Sequence, residues 1–298
     1  MNCAIYAFDD DGVSAGRLAD LLEAPLRTIS LHTLPDGESL PVVPKPVSTA
    51  LLYRALNRPD CKLMPLLLAA DALRRAGAQR VVLVAPYMPY LRQDAVFSPG
   101  QPLSRDVIGL VLGRAFDRVV TVEPHLHRTV DLTRVFAGTP VTALSAAGLL
   151  AQHIGQLHGP VIIGPDAESE PWVRRIAEDL QAPYLVGQKI RQGDRKVDIT
   201  FSSKASVLGR RAVIVDDICS TGATLLAATR RLRAAGAGTI EIVVVHALSG
   251  LALGAALRRA GAGTLTATDS CTHRANQIVL APLLAHALSS EIEQCPSS

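Results

Sequence analysis

Short apolar runs alternate with amphipathic stretches along most of the chain. Residues 2–8 and 49–55 read as strands, and residues 13–22 between them read as a helix. Over 64–76 apolar positions recur at helical intervals, and Gly77 stands where a helix C-cap belongs. The β-branched run at 80–85 has no polar alternation, the mark of a strand covered on both faces. A strand at 119–122 follows. The pattern then restarts with helix 146–156, strand 161–163, helix 170–180 and strand 212–215. It closes with helix 224–234, strand 240–245, helix 252–260, strand 264–267 and helix 283–288. Such alternation predicts an α/β protein built on doubly wound parallel sheets. Ligands in such folds sit at the carboxyl ends of the strands.

A weak repeat suggests two such sheets. Residues 66–84 read LLLAADALRRAGAQRVVLV, and residues 225–243 read LLAATRRLRAAGAGTIEIV. Each is a helix, an Ala-Gly-Ala stop and a strand. Any two helix–strand units look somewhat alike, and the alternative is a duplicated domain. The expected division is an N-terminal domain, 1–143, and a C-terminal domain, 144–298. With 298 residues, about two domains are expected at ordinary domain sizes.

Composition narrows the function classes. Apolar residues make up 48% and aromatics only 4%, so aliphatic side chains must pack the cores and few rings remain for stacking bases. A net charge of +3 does not call for a nucleic-acid partner, and clusters such as Arg230, Arg231 and Arg233 read as solvated helix faces. Five scattered cysteines without C-x-x-C spacing argue against disulfide staples and structural zinc, and favour a reducing cytoplasm. There is no signal-peptide pattern, and no apolar run approaches the roughly 18 residues that a membrane span needs.

The strongest chemical signal is VIVDDICSTGATL at 213–225. A buried strand runs into Asp216 and Asp217 at its tip, then a small polar loop, then a helix. Backbone N–H groups at that helix start, with hydroxyls from Ser220, Thr221 and Thr224, would cradle an anion. Gly222 lets the backbone approach it closely. The two carboxylates would accept hydrogen bonds from sugar hydroxyls or hold a cation. An acidic turn before an N-capped helix is the plainer alternative, but paired acids after an apolar strand are costly without partners. At 188–195, QKIRQGDR places Lys189 and Arg191 on one side of an extended segment, an arrangement suited to charge on a transferring phosphoryl group. Arg92 offers a planar fork for phosphate oxygens.

The 213–225 segment resembles the phosphoribosyl pyrophosphate-binding loop shared by type I phosphoribosyltransferases and ribose-phosphate pyrophosphokinases. Further motifs resemble the pyrophosphokinases alone. They are Pro35-Asp36-Gly37-Glu38, a segment PYMPYLRQDAVFSPGQPLS at 86–104, TVEPHLH at 121–127, IIGPD at 162–166 and the Lys189–Arg191 loop. Singly, a P-D-G-E turn, an R-Q-D or a basic loop is common; their order and spacing are specific. The variants are similar to those of archaeal members. The resemblance implies type I phosphoribosyltransferase-like domains and a site between them. It implies ATP binding by Asp36, Glu38, Arg92, Gln93, Asp94 and His125, and magnesium at His125 and Asp166. It further implies ribose 5-phosphate on Asp216, Asp217, Ser220, Thr221, Gly222 and Thr224, with Lys189 and Arg191 catalytic. The activity implied is diphosphoryl transfer from ATP to ribose 5-phosphate in a cytoplasmic homo-oligomer, the P-D-G-E turn completing a neighbour's adenine pocket. Glu123 stands where the family has aspartate, and Glu168 and Ser169 where glycines are common. His125 and His127 also form an H-x-H pair, as in some transition-metal sites, without an evident third ligand. Neither a P-loop nor a G-x-G-x-x-G fingerprint is present. A phosphoribosyltransferase and a non-catalytic regulatory paralogue are the rival readings.

Overall fold

The computed structural model describes residues 2–126, 131–192, 196–201 and 206–293, without side chains at 189–192, 196–198 and 251. Two compact units emerge, Met1–Leu144 with Leu280–Ser298, and Ser145–Val279. The first contains β1 (Cys3–Phe8), α1 (Gly12–Leu21), β2 (Leu26–Thr33), β3 (Ser39–Val42), β4 (Thr49–Tyr53), α2 (Asp60–Arg75) and β5 (Arg80–Ala85). It continues through α3 (Ser104–Ala115), β6 (Arg118–Val122), α4 (Leu132–Val135) and β7 (Val141–Leu144). The second contains α5 (Ala147–Gly155), β8 (Pro160–Gly164), α6 (Glu170–Asp179), β9 (Tyr184–Gln192), β10 (Lys196–Phe201) and β11 (Arg211–Cys219). It ends with α7 (Ala223–Ala234), β12 (Thr239–Ala247), α8 (Leu251–Ala260), β13 (Leu265–Thr268) and β14 (Asn276–Ile278). The last helix, α9 (Ala281–Glu293), returns to the first unit and packs on α1.

The sheets run in the orders β3-β2-β1-β4-β5-β6-β7 and β10-β9-β8-β11-β12-β13-β14. They are the same topology written twice. Each has one antiparallel edge strand, β3 on β2 and β10 on β9, and is otherwise parallel. The repeat seen in the sequence is α2–β5 against α7–β12, which occupy equivalent places. Both helices end on a left-handed glycine, Gly77 at φ 115° and Gly236 at φ 81°, where a side chain would be strained. Strands β4 and β5 are buried throughout, apart from a half-buried Arg80 at the start of β5, as the uninterrupted apolar runs require.

The boundary differs from expectation at the C-terminus, because α9 belongs with the first unit. Its Glu291 carboxylate is only 4% exposed and accepts from Arg80 at 2.7 Å and from Arg118 at 2.9 Å. These arginines begin β5 and β6, so the helix is clasped to the amino ends of two neighbouring strands. Burial alone would raise the Glu291 pKa, but the two arginines outweigh it and hold the carboxyl below its ordinary range. A depressed folded pKa stabilises above the unfolded pKa and is lost as pH falls. Glu291→Gln is therefore expected to cost roughly 3 kcal/mol at neutral pH, the scale for breaking a buried ion pair. In urea unfolding the gap from wild type should begin to narrow near pH 4, where the unfolded carboxylate protonates, and close at lower pH as the folded carboxyl protonates in turn.

Candidate functional site

In each sheet the chain order reverses between two strands, β1 and β4 in the first and β8 and β11 in the second. Their carboxyl ends frame a crevice. In the second unit β8 pairs with β11 only as far as Ile163 opposite Ile214, and then turns away. Strand β11 continues, pairing with β12 out to Cys219 opposite Ala247. The acids were expected at the strand tip; they lie instead within a strand that runs on past them. One edge of β11 is held by β12 and the other opens beside the end of β8, which places Asp216 and Asp217 on the crevice.

Asp216 is partly buried, and its carboxyl is pushed well above the carboxylate range, first by burial and then by the charges of Asp217 and Asp166. Asp166 follows β8, caps a short 3-10 turn at 167–169 and accepts the Ser169 N–H at 3.3 Å. Ser169 folds its hydroxyl back onto the Asp166 carbonyl at 2.6 Å, over Gly164, where an added Cβ would lie 2.4 Å from that hydroxyl oxygen. Neither Glu168 nor Ser169 needs a left-handed backbone, so their departure from glycine is accommodated.

Past Cys219 the loop is exposed at Ser220 and Thr221 and buried at Gly222. Gly222 has φ 74°, and a Cβ there would fall 2.3 Å from Leu253 of α8. Only glycine fits between the loop and that helix. The Thr221 hydroxyl accepts the Ala223 N–H at 3.4 Å, and the first helical bond runs from the Leu226 N–H to the Gly222 carbonyl at 2.9 Å. The first turn of α7 has no acidic residue, so its N–H dipoles suit an anion. Three features that the sequence did not point to back this loop. The buried Cys219 thiol lies 3.6 Å from the Ser249 hydroxyl, and the Ser249 carbonyl accepts from His273 at 3.1 Å. Leu253 provides the third.

Among the described residues no three His, Cys, Asp or Glu side chains converge on one metal position. The mutual charge repulsion of Asp216, Asp217 and Asp166 nevertheless suits a hard cation. Magnesium ordinarily takes one or two carboxylates together with substrate phosphates and water rather than a complete protein cage. Lys189 and Arg191 lie on β9, their backbones opposite Ile199 and Val197 of β10, two residues apart on one strand. Their side chains fall outside the described structure, as does the whole of His127.

The other sequence candidates lie in the first unit. Arg92, Gln93 and Asp94 follow β5 at its carboxyl end, Arg92 and Gln93 exposed. The Gln93 N–H donates to the Tyr90 carbonyl at 3.1 Å, closing the turn that presents Arg92. His125 follows β6, two residues after Glu123, which holds a left-handed φ of 41°. Such strain in a residue other than glycine costs on the order of 1 kcal/mol. Asp36 and Glu38 lie on the exposed tip of the β2–β3 hairpin, where Asp36 accepts the Glu38 N–H at 3.2 Å. Strand β2 is separated from β5 by β1 and β4. At about 4.8 Å per strand, the hairpin strand and the Arg92 strand lie roughly 14 Å apart.

Residues 4–115 match the N-terminal domain of ribose phosphate pyrophosphokinase, and residues 139–255 match the phosphoribosyl transferase domain. The Ribose-phosphate pyrophosphokinase of Methanopyrus kandleri is 32% identical, over 94% of this chain and 97% of its own length. That of Methanothermobacter thermautotrophicus is 34% identical over 91% and 94%. The crystal structure of phosphoribosylpyrophosphate synthetase from Mycobacterium smegmatis superposes with a TM-score of 0.83, covering 99% of this chain and 100% of that one at 24% identity. The fold is shared with that structure; the two archaeal likenesses, each spanning nearly both whole chains, show that this chain belongs to the ribose-phosphate pyrophosphokinase family.

Proposed function

We propose that this chain transfers the diphosphoryl group of ATP to the anomeric hydroxyl of ribose 5-phosphate, giving phosphoribosyl pyrophosphate and AMP. The observation that carries this reading is the pairing, in one chain, of the acid-lined β11 crevice and its Gly222 loop with the Arg92 turn of the first unit. The ribose hydroxyls donate to Asp216 and Asp217. The 5-phosphate rests on Ser220, Thr221, Thr224 and the N–H groups beside Gly222. Arg92, Gln93, Asp94 and His125 hold ATP. His125 and Asp166 would each serve as a magnesium ligand, the metal supplying neutralising charge at the phosphates. Lys189 and Arg191 stabilise the charge that develops as the diphosphoryl group moves. The chemistry rests on positioning and charge, and no side chain need act as general base. A phosphoribosyltransferase would have no use for the first unit, whose match is to the pyrophosphokinase N-terminal domain. Phosphorus NMR of ATP with ribose 5-phosphate and magnesium should show AMP and phosphoribosyl pyrophosphate appearing in equal amounts. No AMP from ATP and ribose 5-phosphate, together with release of pyrophosphate from added phosphoribosyl pyrophosphate only when a nucleobase acceptor is supplied, would select the transferase instead.

The protein is a homo-oligomer with a shared adenine site in this reading. Support comes from the hairpin tip, exposed and roughly 14 Å in strand spacing from the Arg92 strand. The same region carries exposed Leu31, Leu40 and Val42, with Met64 and Leu68 exposed on α2. An acceptor at Asp36 or Glu38 suits the exocyclic amine of adenine, where guanine presents a carbonyl. Inactive Asp36→Ala chains mixed with inactive Lys189→Ala chains should regain part of the activity, because some pockets then combine intact elements. Full subunit exchange without recovery, or an active monomer by light scattering, would sink the shared site. No helix among the described residues is long and apolar enough to cross a membrane. The cytoplasm is the proposed compartment, supported by free thiols at Cys61 and Cys219.

A further inference from the structure

The duplication lets the first unit be compared with the second, position by position, at its own switch point. Thr49 pairs with Cys3 on one side and Arg80 on the other; Arg211 pairs with Pro160 and Thr239 in the same way. Counting five residues on from Thr49 and from Arg211 sets Arg54 in the place of Asp216, and Ala55 in the place of Asp217. The helices that follow also differ. Leu66 and Leu225 each stand 14 residues before the matched pair Arg80 and Thr239, yet α2 begins six residues ahead of Leu66 and α7 only two ahead of Leu225. The extra turn of α2 occupies the stretch that forms the open anion loop in the second unit.

That turn closes the crevice with the chain's own cations. The Lys62 ammonium, largely buried, donates to the Ala55 carbonyl at 2.7 Å and to Asn57 Oδ1 at 2.9 Å, and lies 3.3 Å from the Asp10 carboxylate. The Arg54 guanidinium stacks 4.4 Å from the Phe8 ring centroid, pairs with Asp11 at 2.7 Å and also bonds Asp10. Asp60 opens the same turn, and its carboxylate accepts the Tyr90 hydroxyl. Tyr90 adopts φ 64°, which a side chain rarely does, and its carbonyl takes the Gln93 N–H. The Gln93 carbonyl in turn accepts the Arg105 N–H at 3.3 Å at the start of α3. A rigid turn, locked by Lys62, thus holds by one side chain the residue that closes the Arg92–Gln93 turn.

We infer that Asp60, on the turn of α2 that plugs the first unit's switch point, is a positioning residue for ATP, acting through Tyr90 on the turn that presents Arg92 and Gln93. This rests on the reading of the Arg92 segment as the ATP site. The half of the duplication without the sugar-phosphate loop uses the corresponding stretch to brace the nucleotide side.

The test is steady-state kinetics on Tyr90→Phe, Asp60→Asn and the double variant, with Arg92→Ala as reference. Tyr90→Phe removes only the hydroxyl. Each single variant should raise KM for ATP about fivefold, less than a direct charged hydrogen bond to substrate because the contact reaches ATP only through the turn. KM for ribose 5-phosphate, kcat and the melting temperature should stay near wild type, and the double variant should be no worse than either single one, since both remove one interaction. If Arg92→Ala raises KM for ATP while Tyr90→Phe and Asp60→Asn do not, the positioning role is wrong and the ATP reading stands. If both substrates' KM values or the melting temperature shift together, the contact is merely structural and the inference fails. If Arg92→Ala leaves ATP kinetics untouched, the ATP reading falls and takes the inference with it.

Discussion

Lys189→Ala is expected to lower kcat by about 10²-fold or more, the effect of removing a preorganised charge stabiliser, while both KM values change less. The expectation rests on where β9 runs. It lies between β10 and β8, and β8 is the neighbour of the switch-point strand β11, so the backbone positions 189 and 191 stand two apart on a strand one removed from the acid pair. A cation that acts only on charge developing in transfer is invisible to ground-state binding. Steady-state kinetics with each substrate varied would show the split. A variant whose loss appears only as a raised KM would make Lys189 a uniform-binding residue instead.

The second large effect belongs to the sugar side. Asp217→Asn preserves shape and removes one charge from a corner where Asp216 is already held neutral-leaning by burial and by Asp217 itself. A lost hydrogen bond to a charged acceptor corresponds to roughly 10- to 100-fold in affinity. KM for ribose 5-phosphate should rise by that factor, and ATP binding, measured by calorimetry, should persist. Wild-type kinetics for the sugar would remove Asp217 from the site.

Some of this was legible without coordinates because the signals are local. The continuous apolar runs of β4, β5 and the first half of β11 demand burial on both faces, whatever surrounds them. The stop at Gly77 and the small-residue loop at 220–222 are backbone requirements, satisfied where the residues stand. Elements whose residues argue against their own conformation were hidden. Helix α3 contains Gly109 and Gly113, poor helix formers, because a Cβ at either would lie 2.5 Å or less from the backbone of Val135 or Phe136. Strand β2 buries only Ile29, and a strand exposed along most of its length has little apolar alternation to read.

The sequence by itself determined the repeating α/β pattern, the acid pair with its glycine loop, and the family motifs in their order, since each depends on neighbours a few residues away. Tertiary structure decided the rest. It extended β11 through two aspartates, poor strand formers, because β12 supplies hydrogen-bond partners out to Ala247. It assigned α9 to the first unit, through a carboxylate whose partners lie 211 and 173 residues away in the chain. It set Arg54 where the other half has Asp216, a correspondence visible only through strand register, because the loops that follow differ in length and chemistry. Long-range pairing depends on which chain segments meet in space, and no local pattern of residues records that.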